Sequence, residues 1–380
     1  MAETAVKMGM NVDQFREMNF YTKGQVTPAG GVLTYWNMDT IWNQIQQTAN
    51  YAQRRSAIAD FNQSNRWVKK GMYLMPCKYG IEWGGTGFGA LINVCSDGTV
   101  QLSHTGCEVG QGINTKVSQV LAMELGCDIS LITVTSTNSQ KVPHGVSTGG
   151  SITSELCSKA VIGAARKLNA KLQPIKNLFP DYTWTELIKV ASDAQLGLQS
   201  RYWQLSVNRT TDPFQYNAYG AAIAETRVDI LTGEVQVQRV DVLYDCGTSL
   251  NPAIDIGQVE GGFVQGMGLY MTEKLKYDES GNITTNGTWE YKPPSTKDIP
   301  IDFRVTLLSD APNPAGVLSS KASGEPPMTL SASVYFAVKE AVQEARKSAG
   351  LSNSMVLPPP VSPNVVGVGA GTSIPLLTLS

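Results

Sequence analysis

The chain has 380 residues, 42% of them hydrophobic and 16% charged, with 30 basic and 32 acidic side chains for a net charge of −2. That composition suits a folded chain of two or three lobes and excludes a disordered one. The near-neutral balance excludes a sequence-independent attraction to nucleic acid or to an anionic membrane, and no apolar run reaches the roughly 18 residues of a membrane span.

The opening residues carry charge where a signal peptide would place its apolar segment, so a cytoplasmic location is expected. Residues 1–65 read as a helical, polar lead-in, with helices over 38–55 and 56–65. From Trp67 the texture changes: 71–79 and 90–95 read as strands, Asp97-Gly98 as a hairpin turn and 100–104 as the returning strand. Gly110-Gln111-Gly112 then opens a helix over 114–125 that Gly126 closes. A strand fits 129–135, and the small residues 147–151 lead into a helix over 154–172. Its Arg166, Lys167 and Lys171 fall near the end, where cations suit the helix dipole.

Residues 173–214 show no regular pattern. Strands return at 221–230 and 234–245 around the turn Thr232-Gly233, and Gly257-Gln258 opens a second glycine-rich helix. Further strands fit 270–277 and 301–308, with a turn at Ser280-Gly281. A last helix runs from about 327 to 345 behind Pro326-Pro327, prolines being tolerated in a first turn. The tail beyond Gly350 reads as a surface wrap or a partly disordered segment.

A strand hairpin followed by Gly-Gln at a helix N-terminus occurs twice, at Gly110-Gln111 and at Gly257-Gln258. Two unrelated glycine turns would give the same string; two related lobes facing one cleft would bring both glutamines to one ligand. The expected fold is α+β and two-lobed, built from strand-hairpin plus helix repeats. Its parts are a lead-in at 1–65, a first lobe at 66–214, a second at 215–350 and a tail at 351–380.

The six cysteines lie far apart with no CxxC pair, which fits reduced thiols packed in a core. His104 and His144 are the only histidines, so chemistry is expected from carboxylates, amides, backbone groups or a bound cofactor. Four glycine-lined helix mouths are expected: after Gly112, after Gly150-Ser151, after Gly257-Gln258 and after Gly324-Glu325. Glycine admits a ligand close to the backbone, and first-turn N–H groups bind anions. No Gly-Lys-Ser/Thr follows these glycines, so none is a P-loop, and the glycines of 84–89 have the wrong spacing for a dinucleotide loop. Converging mouths suit a large, polar, phosphorylated cofactor. In Ser323-Gly324-Glu325-Pro326-Pro327 the glutamate fits either a fixed proton acceptor or a plain carboxylate stabilising a helix N-terminus.

Lys321-Ala322-Ser323-Gly324-Glu325-Pro326-Pro327 resembles the signature loop of the xanthine dehydrogenase / aldehyde oxidase family of molybdenum hydroxylases, whose glutamate is the active-site base. Residues 105–116, TGCEVGQGINTK, resemble that family's first pterin-binding loop, and residues 249–261, SLNPAIDIGQVEG, its second. With Thr148-Gly149-Gly150-Ser151 these segments keep the family's order and spacing, and the likeness runs from residue 1 to about 350.

The resemblance implies a molybdenum–molybdopterin cofactor. Gln111 and Gln258 would contact it through their amides, Gly112 and Gly324 would line it, and Gly149, Gly150 and Ser151 would bring backbone N–H groups to it, with Gly150 beside the metal. Lys321 would support the surroundings of Glu325. Glu325 would be the base that activates a hydroxide on molybdenum for attack on an aldehyde or N-heterocycle. Trp83, followed by Gly84, stands where the family stacks an aromatic on its substrate, and would be a wider platform. Thr148-Gly149-Gly150-Ser151 and residues 289–294, WEYKPP, look more like the aldehyde oxidase branch.

The family carries 2Fe-2S domains with a pair of clusters, an FAD domain and further molybdenum-domain segments upstream of this region, and forms homodimers. None of those motifs occurs here, so this chain is expected to bind only part of the cofactor and to be inactive alone. The alternatives are a xanthine or hypoxanthine dehydrogenase proper, or a cofactor-binding subunit without turnover. A carbohydrate- or phosphate-processing enzyme pairing Glu260 with Glu325 lacks supporting spacing.

Overall fold

A computed structural model describes residues 1–84, 87–205 and 214–372. The lead-in folds as helices α1 (Ala2–Lys7), α2 (Val12–Glu17), α3 (Met38–Thr48) and α4 (Tyr51–Ser64). The last two part at Asn50, whose φ of +52° ends the run that composition suggested would continue to residue 55. Ile41, Trp42 and Ile45 lie at helical spacing on one side of α3 and are buried against the sheet that follows.

Eight strands make two four-stranded sheets among the described residues. The first has the order β4-β3-β2-β5, from β2 (Phe88–Val94), β3 (Val100–His104), β4 (Ile132–Val134) and β5 (Gln199–Gln204). The second has the order β1-β6-β7-β8, from β1 (Val68–Ile81), β6 (Tyr216–Asp229), β7 (Val235–Asp245) and β8 (Asp302–Leu307).

The two sheets repeat one plan. An antiparallel hairpin, β2–β3 or β6–β7, runs into a helix, α5 (Ile113–Leu125) or α8 (Pro252–Met271), which returns to a parallel strand beside the hairpin, β4 or β8. An antiparallel strand closes the other edge, β5 on β2 and β1 on β6. A long helix covers each sheet: α6 (Thr153–Leu178) packs Leu156, Ala160, Ala164 and Leu168 on the first, and α10 (Ala332–Ser348) packs Val334, Ala337 and Ala341 on the second. The repeat read from the two Gly-Gln pairs is therefore a repeat of topology. β1 falls in the span 66–214 but pairs along its whole length with β6, so it belongs to the second sheet.

Several elements differ from the sequence expectation. The second glycine-rich helix begins at Pro252, with Asn251 Oδ1 accepting from Ile254 N at 3.1 Å, so Gly257-Gln258 lies inside it. The residues read as a strand at 270–277 begin as the last turn of that helix, because its buried side continues through Phe263 and Met267; beyond it, Tyr277 makes a single bridge with Ile283 around Gly281. The stretch 173–214 contains α7 (Trp184–Asp193), entered through a capping box of Thr183 and Glu186, and β5. The last helix is two, α9 (Pro326–Leu330) and α10. In the described part of the tail, α11 (Pro363–Ala370) buries Val366 and Ala370 with Leu357 and Val361 against α10, which makes that part of the tail a piece of a core rather than a wrap. Cys77, Cys157 and Cys246 are buried thiols, whereas Cys95 and Cys107 are exposed. Among the described residues no helix is long and apolar enough to cross a membrane.

Candidate cofactor-binding site

The repeat brings the starts of α5 and α8 together. Lys116 Nζ donates to Asp255 Oδ1 at 2.7 Å, and Asn251 Nδ2 donates to Gln119 Oε1 at 3.1 Å. Gly112 has φ +73°, and a Cβ there would come within 2.7 Å of Ile254 Cδ1, so the glycine sets the approach of one helix to the other. Asp255, 1% exposed, also accepts Ser249 Oγ at 2.6 Å and Ser323 Oγ at 2.9 Å. One buried carboxylate thus ties both glycine-rich helices to the loop before Glu325.

A cleft opens at this junction, walled by Gln111, Gly149, Ser151, Gln258, Lys321 and Gly324, all anticipated from sequence. Gln258 Oε1 comes within 3.3 Å of the point a Cβ on Gly324 would occupy. The Gln111 amide is folded onto its own loop, accepting Val109 N at 2.7 Å and donating to Cys107 O at 2.8 Å. The first helix mouth is not free for an anion: the Glu108 carboxylate accepts the N–H groups of Gly110, Gly112 and Asn114 at 3.0–3.1 Å. At the next mouth Gly149 N donates to Thr153 Oγ1 at 3.2 Å, and Gly150 and Ser151 take left-handed φ of +69° and +55°. Gly150 lies beside the cleft rather than on its wall.

Glu325 directly follows the cleft wall and is half-buried. Its backbone N–H donates to Ser151 Oγ at 2.9 Å, and its Oε2 accepts the Tyr79 hydroxyl at 2.8 Å. Burial first, and then the Glu325 carboxylate, push the Tyr79 phenol up to about 12, so it remains a donor. Pro326 and Pro327 occupy the first two positions of α9 and supply no N–H, so the expected free amides are missing and the glutamate side chain makes no cap. The carboxylate thus stands at the start of α9 without a capping hydrogen bond.

Lys321 is 3% exposed, and its ammonium is bound by Asp245 and lies 4.3 Å from the centre of the Tyr35 ring. Burial lowers its pKa, and Asp245 partly offsets this. Asp245 also accepts Asn37 Nδ2 at 2.7 Å and Gly247 N at 2.9 Å. The lysine anchors the loop that carries Glu325.

Trp83, expected as an open platform, is 5% exposed, donates through Nε1 to Glu155 Oε2 at 3.1 Å and has Lys159 Nζ 4.4 Å from its ring centre. It is packed in the core behind Glu155, a cleft-wall residue, and does not line the cleft itself. Gly84 is half-buried next to it, and Gly85 of the glycine-rich stretch 84–89 lies outside the described residues. Glu155 went unnoticed in the sequence; it also accepts Tyr216 Oη at 2.8 Å and Val317 N at 2.9 Å, and Tyr216 Oη in turn accepts Ala322 N at 2.9 Å. An acid among the buried residues Leu156, Cys157, Ala160 and Val161 was the signal available.

Comparison with known proteins agrees with this geometry. Residues 44–300 match the molybdopterin cofactor-binding domain family. The chain is 39% identical over 373 residues to a xanthine dehydrogenase/oxidase of Gallus gallus, covering 96% of this chain and 28% of that protein. It is 36% identical over 374 residues to aldehyde oxidase 1 of Macaca fascicularis, again covering 96% of this chain and 28% of the relative. The chain therefore spans little more than a quarter of the length of these relatives. Its fold matches CO dehydrogenase from Oligotropha carboxidovorans with a TM-score of 0.81 at 22% identity, over 97% of this chain and 50% of that one. The paired hairpin–helix units, the cleft where they meet and a family match over residues 44–300 lead to one assignment: the chain belongs to the molybdopterin cofactor-binding domain family.

Proposed function

We propose that this chain is part of a molybdenum hydroxylase that oxidises aldehydes or N-heterocycles, with Glu325 as general base. The donor set suits a pterin. The cleft offers two glutamine amides and serine hydroxyls; Ser158 Oγ on its wall is buried without a hydrogen-bond partner among the described residues, and open space lies over Gly149 where a side chain would intrude. No cluster of three or more metal-binding side chains occurs among the described residues, so a metal here would arrive on its organic ligand. When bound, a molybdenum–molybdopterin group would supply the redox chemistry.

The protein's own part is to hold and orient. Gln111 and Gln258 would hydrogen-bond the pterin, with Ser151 and Gly149 bordering it. Glu325 would accept a proton at Oε1, which takes no hydrogen bond among the described residues. The observation that carries this reading is the restraint on Glu325: its backbone is fastened to Ser151 on the cleft wall, and two prolines keep its side chain out of a helix cap. Remaining cofactor contacts, 2Fe-2S and FAD domains on the same or another chain, a homodimer and a cytoplasmic setting belong to the same proposal and rest on the family resemblance.

In the holoenzyme, Glu325→Gln is expected to keep molybdenum and pterin bound while lowering turnover by about 10²–10⁴-fold. Retained turnover would refute the assignment. Identity of 39% to the xanthine dehydrogenase/oxidase favours a second reading, in which the substrate is a purine. Parallel assays with xanthine and an aromatic aldehyde decide between them.

A further inference from the structure

We infer that Tyr79 is the positioning residue of Glu325, holding Oε2 so that Oε1 is the oxygen that receives the proton. The inference rests on reading Glu325 as the base. Residues 77 and 79 of β1 alternate onto one side of the strand, and that side meets the start of α9 twice. Cys77 Sγ lies 3.0 Å from Thr329 Oγ1, and Tyr79 Oη donates to Glu325 Oε2 at 2.8 Å.

The strand is a rigid mount. β1 is paired with β6 at every position from 68 to 81, with Tyr79 opposite Ala218, and the adjoining Gly80 lies against the Phe214 ring, where a Cβ would come within 2.6 Å. A carboxylate on a five-residue helix that opens with two prolines has no amide of its own to fix its side chain. The phenol supplies that restraint. A charge-assisted bond to one oxygen fixes the plane of the group and leaves the other oxygen to accept a proton.

The test compares Tyr79→Phe, Glu325→Gln, their combination and Cys77→Ala in the holoenzyme. Tyr79→Phe is expected to lower kcat on the order of 10-fold, the effect of one hydrogen bond to a charged acceptor, with KM changed less than about twofold. It adds nothing in the Glu325→Gln background. A readout without turnover uses 3-fluorotyrosine at position 79: its single fluorine resonance shifts when Glu325 becomes Gln.

Unchanged kcat in Tyr79→Phe, with turnover lost in Glu325→Gln, overturns the inference and leaves the base assignment standing. An unmoved fluorine resonance overturns it as well. Cys77→Ala loosens the same strand–helix contact without touching the carboxylate; if it lowers kcat as much as Tyr79→Phe, the role of Tyr79 is structural and the inference falls. Turnover retained in Glu325→Gln instead removes the base assignment, while the fluorine shift still reports the contact.

Discussion

Lys321 and Asp245 form an ion pair at 2.5 Å whose side chains are 1% and 0% exposed, and it locks three distant segments at one point. Asn37 reaches Asp245 from the lead-in and Tyr35 stacks under the ammonium, while Lys321 N donates to Cys246 O at 2.7 Å beyond β7. Four residues on stands Glu325. Burying two charges costs more than their attraction returns unless both stay paired, so removing one partner is expected to cost about 3–5 kcal/mol. Asp245→Leu and Lys321→Met should each lower the denaturation midpoint strongly. Lys321→Met with Asp245→Leu should lose less than either alone. Additive losses in the double variant would contradict a coupled pair.

A second buried acid gives a pH dependence of definite sign. Glu155 is 8% exposed, and burial pushes its carboxyl up against the opposing pull of Val317 N–H, Tyr216 and Trp83. A raised carboxyl binds its proton more tightly in the folded chain than in the unfolded one. Its contribution to stability is thus complete below the ordinary carboxylate range and is lost as pH rises through the folded value. The unfolding free energy of the wild type minus that of Glu155→Gln should fall as pH rises above about 4.5, by no more than about 1.4 kcal/mol per pH unit. Denaturant midpoints at a series of pH values measure it; a flat difference would show that Glu155 is not the group responsible.

The hairpins β2–β3 and β6–β7 are legible because turn chemistry and alternation agree: β3 has the bounds expected from sequence, and Gly126 ends α5 with φ +72°. The start of α8 is equally signalled by Asn251-Pro252, five residues before the more conspicuous Gly257-Gln258. β5 was not readable, since QSRYWQ is mostly polar and becomes a strand by pairing with β2, with Tyr202 seated against Gly163. Pairing of β1 with β6 is likewise a long-range choice that local pattern does not encode. The site divides the same way. Gln111, Gln258 and Glu325 lie in compact motifs, whereas Tyr79, Glu155 and Asp255 act through partners 246, 162 and 139 residues away.

Gly262 marks where α8 passes closest to the Glu325 loop. A Cβ there would stand 2.5 Å from the Gly324 carbonyl oxygen, which is backbone and cannot swing aside. Gly262→Ala should therefore displace the loop, costing about 1–3 kcal/mol and reducing turnover of the holoenzyme. The adjacent Gly261 faces open space, so Gly261→Ala should leave the loop in place and raise stability by about 0.5–1 kcal/mol through helix propensity. Thermal melts of the two variants give the comparison. Equal melting temperatures would mean that α8 does not press on the loop.

Glu108 supplies from within the chain the negative charge that the first helix mouth was expected to take from a ligand. Its carboxylate collects three backbone N–H groups and so fixes the turn in which Gln111 is folded, with Cys107 O and Val109 N holding the glutamine amide. Because Glu108 is exposed, Glu108→Ala should cost only about 1 kcal/mol, as the loss of a helix cap does. The larger consequence falls on the cleft, whose wall includes Gln111. Without the carboxylate the loop samples other turns, and purified Glu108→Ala holoenzyme should carry less pterin and molybdenum than the wild type at similar melting temperature. Glu108→Gln keeps one acceptor oxygen and should fall between. If both variants retain full cofactor, the rigidity of this turn has no part in holding the ligand, and Gln111 must find its partner from a mobile loop as readily as from a fixed one.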